Sequence, residues 1–238
     1  MPKPNEHWNV LPHGPLTKLA ENLYTVTGQL RMPLGETTRR MTVIVLSGAR
    51  LAIYSAIALD QAEMAKLEAL GKPSYLIVPS AIHRLDVKGW LERFPELVVL
   101  APKGSRDKVR ELIPVDASNG NLDDERVQLL PVPGTDEGEF AMLVETETGK
   151  TLVVNDLIFN LPRIPGLAGL GLRLLGFGPG RPIMPKLVQK NLVKDRAAVR
   201  AQLEEWAHLD QLERVLVSHG APIEHPQSTL RELAGALS

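Results

Sequence analysis

Three apolar runs in this chain lead to residues that can hold a metal ion or move a proton. The run from Ser74 to Val78 leads to His83, that from Thr151 to Val154 to Asp156, and that from Arg214 to Val217 to His219. In open α/β sheets, ligands and chemistry gather outside the carboxyl ends of the strands, so three such ends predict one shared pocket. Imidazole nitrogen and carboxylate oxygen are the donors of hydrolytic zinc, which takes three protein ligands and keeps one position open. An ion so held lowers the pKa of water to about 7 and polarises a carbonyl or phosphoryl group. With no cysteine in the chain, thiolate ligands, Cys nucleophiles and disulfides are excluded. Ser55, Ser80 and Ser218 lack the glycine pattern of a nucleophile elbow. Gly176 to Gly180 is not followed by the Lys-Ser/Thr of a phosphate loop.

Taken singly, these residues have plainer roles. Asp156 needs a partner to be buried at all. His219, before Gly220, reads as a hydrogen-bonded loop histidine, and His83 as a partner for Asp86 or Asp156 without a metal. Asp86 precedes a helix and reads as its N-cap. His7 and His13 fall in an extended N-terminal arm, and His208 ends a helix, where a cation suits the dipole. His225 follows the third strand end and reads as a pocket-rim residue.

The elements that must position these groups are legible from pattern. Strands are expected at 22–28, 40–46 and 51–55, with a turn at 47–50. Asp60 and Glu63 open a helix that Gly71 and Pro73 stop. Strand 75–78, helix 87–94, strand 97–100 and helix 105–112 alternate, which argues for a parallel segment of sheet. Strands follow at 126–130, 140–144 and 151–154. Helix 194–208 carries Val199, Leu203 and Trp206 on one face. Strand 215–217 and a last helix capped by Ser228 close the chain. Two mixed sheets packed face to face with helices outside, an α/β (α+β) αββα four-layer sandwich, would bury both strand sets. One domain over residues 1–238 is expected, with 161–188 as a Gly/Pro-rich apolar insertion or lid.

Composition narrows the partners. At 44% hydrophobic and 23% charged, the chain is that of an ordinary globular protein. Its net charge of -1, with no block of one sign, gives no pointer to nucleic acid or an anionic membrane. The polar, Pro-rich start has no signal-peptide core, so a cytoplasmic protein is expected. Leu161 to Val188 is broken by Pro162, Pro165, Pro179, Pro182 and Pro185 and by Arg163, Arg173 and Arg181. It offers no uncharged stretch of the roughly 18 residues that span a bilayer. A lid, a homodimer contact or a packed crossover is expected there instead.

The order of elements and the strand-end residues together resemble the metallo-β-lactamase superfamily, from about Leu19 onward. Ser80 to Asp86 stands where that family has Thr-His-x-His-x-Asp-His, and Pro133 to Gly138 where it has Pro-Gly-His-Thr-x-Gly. Asn155-Asp156 matches Gly-Asp, and Ser218-His219-Gly220 matches Ser-His-Gly. Ala81, Leu85 and Thr135 replace family ligands, Asp86 replaces a histidine, and Tyr54-Ser55 stands where an early strand-end Asp is usual. The resemblance implies the four-layer sandwich and a partly lost dinuclear site, with His83, Asp86, Asp156 and His219 left as ligands for one ion. It favours the position shared by Asp86, Asp156 and His219, with His83 a distant fourth ligand or an outer-sphere group. Asp136 and Glu137, beside Thr135, are further pocket candidates, and an oxygen-rich set would favour Mn or Fe over Zn. The implied activity is metal-dependent hydrolysis of a small-molecule ester, thioester or phosphoester. The alternative is a non-catalytic binding or assembly protein of the same fold, without metal, pairing through 161–188.

Overall fold

Alternation along one long strand sets the layering. Met41 and Val43 pack with residues of the first helices, while Ile44 and Leu46 pack toward the second sheet. The computed structural model describes residues 3–32, 35–174 and 176–237. In chain order these form β1 (Thr17–Ala20), β2 (Leu23–Met32), β3 (Gly35–Leu46), β4 (Arg50–Tyr54), α1 (Gln61–Leu70), β5 (Lys72–Ile77) and α2 (Val87–Arg93). Next come β6 (Val98–Leu100), α3 (Arg106–Arg110), β7 (Val127–Pro131), β8 (Phe140–Glu145) and β9 (Lys150–Asn160). The chain closes with α4 (Gly166–Leu174), α5 (Lys186–Asn191), α6 (Arg196–Ala207), β10 (Leu212–Gly220) and α7 (Pro226–Gly235).

One sheet has the order β1-β2-β3-β4-β5-β6, the other β10-β9-β8-β7. β1 to β4 pair antiparallel, and β4, β5 and β6 run parallel, as the alternating middle of the sequence predicts. In the second sheet β7, β8 and β9 are antiparallel and β10 joins β9 parallel. Three apolar clusters fill the three spaces of an αββα sandwich. Leu67, Trp90 and Val109 meet the outer face of the first sheet. Tyr54, Ile77, Phe140, Val153 and Leu216 lie between the sheets. Val199, Leu203, Trp206, Leu230 and Leu233 cover the second sheet. Each such side chain, withdrawn from water, stabilises the fold by roughly 1.5–3 kcal/mol.

Capping side chains hold two of the helix starts. Asp60 caps α1 through the Glu63 N–H, and Asp195 caps α6 through the Ala198 N–H. The last helix begins earlier than expected. His225 stands at its N-cap position with Pro226 next, and Ser228 lies inside the first turn, its hydroxyl on the His225 carbonyl. The Gly/Pro-rich segment, expected to be a lid, a homodimer contact or a packed crossover, contains α4 and α5.

The larger departure is in β9, expected to end at Val154 but continuing to Asn160. Val154 pairs with Val217, and the next pair is Phe159 with His219. Asn155 to Ile158 therefore stand opposite Ser218 alone. Such bulges re-aim side chains and are frequent beside active sites. Gly220 then turns the chain at φ 114°, where a Cβ would collide with the Asn160 carbonyl.

Candidate metal centre

The bulge delivers Asp156 to the carboxyl end of β10, and the loop after β5 delivers His83 to the same place. One ligand atom from each of His83, Asp156 and His219 lies within 4.8 Å of the others. Asp156 Oδ1 is 3.2 Å from His83 Nε2 and 3.1 Å from His219 Nε2. The carboxylate is buried, and the two imidazoles are nearly so, with side chains 9% and 12% exposed.

Outer groups fix each imidazole. His219 Nδ1 is 2.6 Å from the Thr38 carbonyl, which can only accept, so Nδ1 carries the proton there. His83 Nδ1 is 2.7 Å from Ser55 Oγ. Ser55 itself holds φ 57°, a left-handed conformation unusual away from glycine. Phe159 stacks on His219 at 4.7 Å between ring centroids. A histidine braced at one nitrogen and aimed with the other is the usual arrangement of a metal ligand. Two nitrogens and one carboxylate oxygen also match the donor set of a three-ligand zinc centre.

Below the carboxylate, one amide joins the strand ends. Asn155 Nδ2 donates to Ser80 Oγ at 3.1 Å, and its Oδ1 accepts from Ser218 Oγ at 2.6 Å. Glu139 Oε1 accepts the Asp156 N–H at 3.0 Å. Glu139 did not stand out in the sequence, and Asn155 entered only as the neighbour of Asp156. The one signal was the recurrence of serine at two strand ends.

Charge is distributed unevenly. Burial alone would raise the Asp156 carboxyl, but the charge of His83 and the hydrogen bonds from both histidines outweigh it and hold it well below the ordinary carboxylate range. Burial would lower His219, and its bond to Asp156 instead raises it. Burial first, and then the Asp156 charge, push Glu139 well above the ordinary range.

The remaining expected site residues lie elsewhere. Asp86 is outside the converging group: its Oδ2 is ion-paired to Arg39 Nη1 at 2.5 Å and its Oδ1 accepts from Asn5 Nδ2 at 2.8 Å. It occupies the N-cap position of α2, yet its side chain accepts no backbone N–H of that helix. His83 thus lies with the converging group, and Asp86 is held apart from it by a buried guanidinium. Thr135 is buried and donates to the Val132 carbonyl at 2.7 Å. Asp136 and Glu137 line a separate open cleft of about 910 Å³ with Lys103, Arg106 and Asp195. His225 is exposed at the start of α7.

No protein-family model matches the chain, and no curated protein matches it in sequence. Solved structures do. The DIM-1 metallo-β-lactamase exposed to ceftazidime aligns with a TM-score of 0.62 at 14% identity, over 97% of this chain and 100% of that one. FIM-1 of Pseudomonas aeruginosa, in a mono-zinc form, aligns with a TM-score of 0.60 at 13% identity, over 95% and 96%. A metallo-β-lactamase of Erythrobacter litoralis gives 0.63 at 13% identity, over 93% and 96%. Identities this low speak for the fold.

Proposed function

The chain has the metallo-β-lactamase fold, and from that premise we propose that it is a hydrolase using a single metal ion held by His83, Asp156 and His219. The observation that carries this reading is the convergence of the two Nε2 atoms on Asp156 Oδ1 while Thr38 and Ser55 hold the opposite ring nitrogens. A divalent cation bound there would supply a Lewis acid and acidify water at neutral pH. Asp156, ionised despite burial, offers the negative charge that balances the cation. Ser55 and Thr38 hold the imidazoles so that each turns Nε2 inward. Phe159 walls one side of His219 against water. Esters, thioesters and phosphoesters are the substrates we propose, each hydrolysed at a carbonyl or phosphoryl centre.

Supporting a second reading, a binding protein without metal, is the same carboxylate oxygen, which both histidines already satisfy. Metal analysis separates the two. Protein purified without chelator or a metal-binding tag should retain, or take up on titration with zinc, a single equivalent. Asp156→Ala and His219→Ala should each abolish that uptake and, with it, hydrolysis of an ester, thioester and phosphoester panel. Wild-type protein that neither retains nor takes up zinc, manganese or iron would remove the hydrolase reading.

A further inference from the structure

We propose that residues 161–174 and 176–194 form a face that docks on an anionic lipid bilayer. A balanced net charge over the whole chain conceals a local asymmetry. From Leu157 to Lys194 there are six cations, Arg163, Arg173, Arg181, Lys186, Lys190 and Lys194, and no Asp or Glu. All six are exposed.

Apolar side chains accompany them. Leu170 is 54% exposed, Leu174 81% and Leu187 54%. Leu170 and Leu174 lie one turn apart on α4 and so share a face. Two glycines show how the segment folds on itself. Gly176 lies against the Lys186 side chain, which brings the end of α4 to the start of α5, and Gly180 lies against Arg163. Leucines on short helices, in a stretch of sequence with cations and no acidic residue, match segments that lie in the headgroup layer with their apolar side in the acyl boundary. Among the described residues no helix is long and apolar enough to cross a membrane, so the contact is one of lying on the surface.

Charge chooses the occupant. A second copy of this face would set six cations against six, and like charges facing each other across an interface oppose association. An anionic bilayer supplies both the opposite charge and the apolar depth. The face also adjoins the candidate centre. Phe177, between α4 and α5, packs edge-on against Phe159 at 5.9 Å, and Phe159 stacks on His219. Docking would therefore bring the centre to the lipid surface. The inference does not rest on the hydrolase reading, because its readout is lipid binding in unmetallated or metallated protein alike.

Flotation tests it, with phosphatidylcholine vesicles containing phosphatidylserine against vesicles of phosphatidylcholine alone. Capture is expected on the anionic vesicles only, and should weaken as salt is raised. The double change Leu170→Asp and Leu174→Asp should abolish capture with the thermal melt unchanged, since both leucines are exposed. Arg173→Gln with Lys190→Gln should weaken capture by a factor of roughly twenty-five, about fivefold per cation lost. Failure of wild-type protein to float with anionic vesicles at low salt would overturn the proposal, as would equal capture on neutral vesicles. So would a dimer in light scattering that Leu174→Asp dissolves, which would give the face to a second copy.

Discussion

Asp86 shows how a single side chain redirects a site. Its carboxylate and the Arg39 guanidinium are both buried, with side chains 1% and 7% exposed. Arg39 Nε and Nη2 have no partner among the described residues, so Asp86 is the charge that makes Arg39 tolerable there. Asp86→Ala should therefore cost about 3–5 kcal/mol of stability in a urea melt, the penalty of stranding a buried cation. Zinc uptake at His83, Asp156 and His219 should persist in the folded fraction. An Asp86→Ala protein that folds normally but loses the metal would instead make Asp86 a ligand. The sequence exposed the three central residues because ligating types recurred at strand ends. It hid the fate of Asp86 because Arg39 lies 47 positions away, in a different element, and no periodicity relates the two. Asn155 was hidden for a similar reason: an amide carries no charge or spacing signature until the strands that it joins are assembled.

The elements add their own constraints. The N-terminal arm straps the loop that carries His83 and Asp86. The Asn5 N–H donates to the Leu85 carbonyl at 2.7 Å, and Trp8 packs on Trp90 at 5.3 Å between rings. Gly89 leaves room for this, since a Cβ there would come within 2.9 Å of the Trp8 backbone nitrogen. Elsewhere Asp124 ties the two sheets at their far edge. It accepts from the Ser47 backbone and hydroxyl, beside the turn between β3 and β4, and from Arg126, at the start of β7. The Arg126 hydrogen bonds lead in holding its carboxyl well below the ordinary range, against the effect of burial. A depressed folded pKa contributes stability that is present above the unfolded value, about 3.9, and lost as pH falls through the folded one. Asp124→Asn should melt earlier than wild type at neutral pH, and the gap should narrow progressively as pH falls below about 4. A gap that is constant with pH would mean that only the shape of the side chain matters. Strand identities were legible from hydrophobic runs. The end of β9 was not, because Asn and Asp read as turn residues and the parallel partner that extends the strand lies some sixty positions on.

At the scale of the molecule, the two sheets meet near the candidate centre through one buried arginine. Arg40, on β3, donates from Nε to the Val217 carbonyl at 3.0 Å and from Nη2 to the Gly220 carbonyl at 2.7 Å. Its Nη1 donates to Thr25 Oγ1 at 3.2 Å. Those carbonyls flank His219, whose own brace is Thr38, two residues before Arg40. Arg40→Met should leave the carbonyls unpaired, costing about 2–4 kcal/mol, and should weaken zinc affinity by displacing His219. Arg40→Lys should not restore either, since an ammonium cannot reproduce the fork. Calorimetric titration and a urea melt read both effects; stability loss with unchanged zinc affinity would confine Arg40 to the fold. The layered architecture was legible in the sequence because each layer has its own apolar period. This tie was not, because two adjacent arginines on a strand give no sign of which faces inward.

The bulge in β9 has an evolutionary consequence. Elsewhere in the sheet, inserting or deleting one residue would slip the ladder and turn every later side chain to the wrong face. Asn155 to Ile158 escape that constraint, because paired positions resume at Phe159 whatever the path between. The four residues are tied to the fold by packing instead, since Asn155, Leu157 and Ile158 are fully buried, so a length change there would disturb the core. A lineage with this bulge would therefore retune the carboxylate by substitution at Asp156 rather than by insertion or deletion.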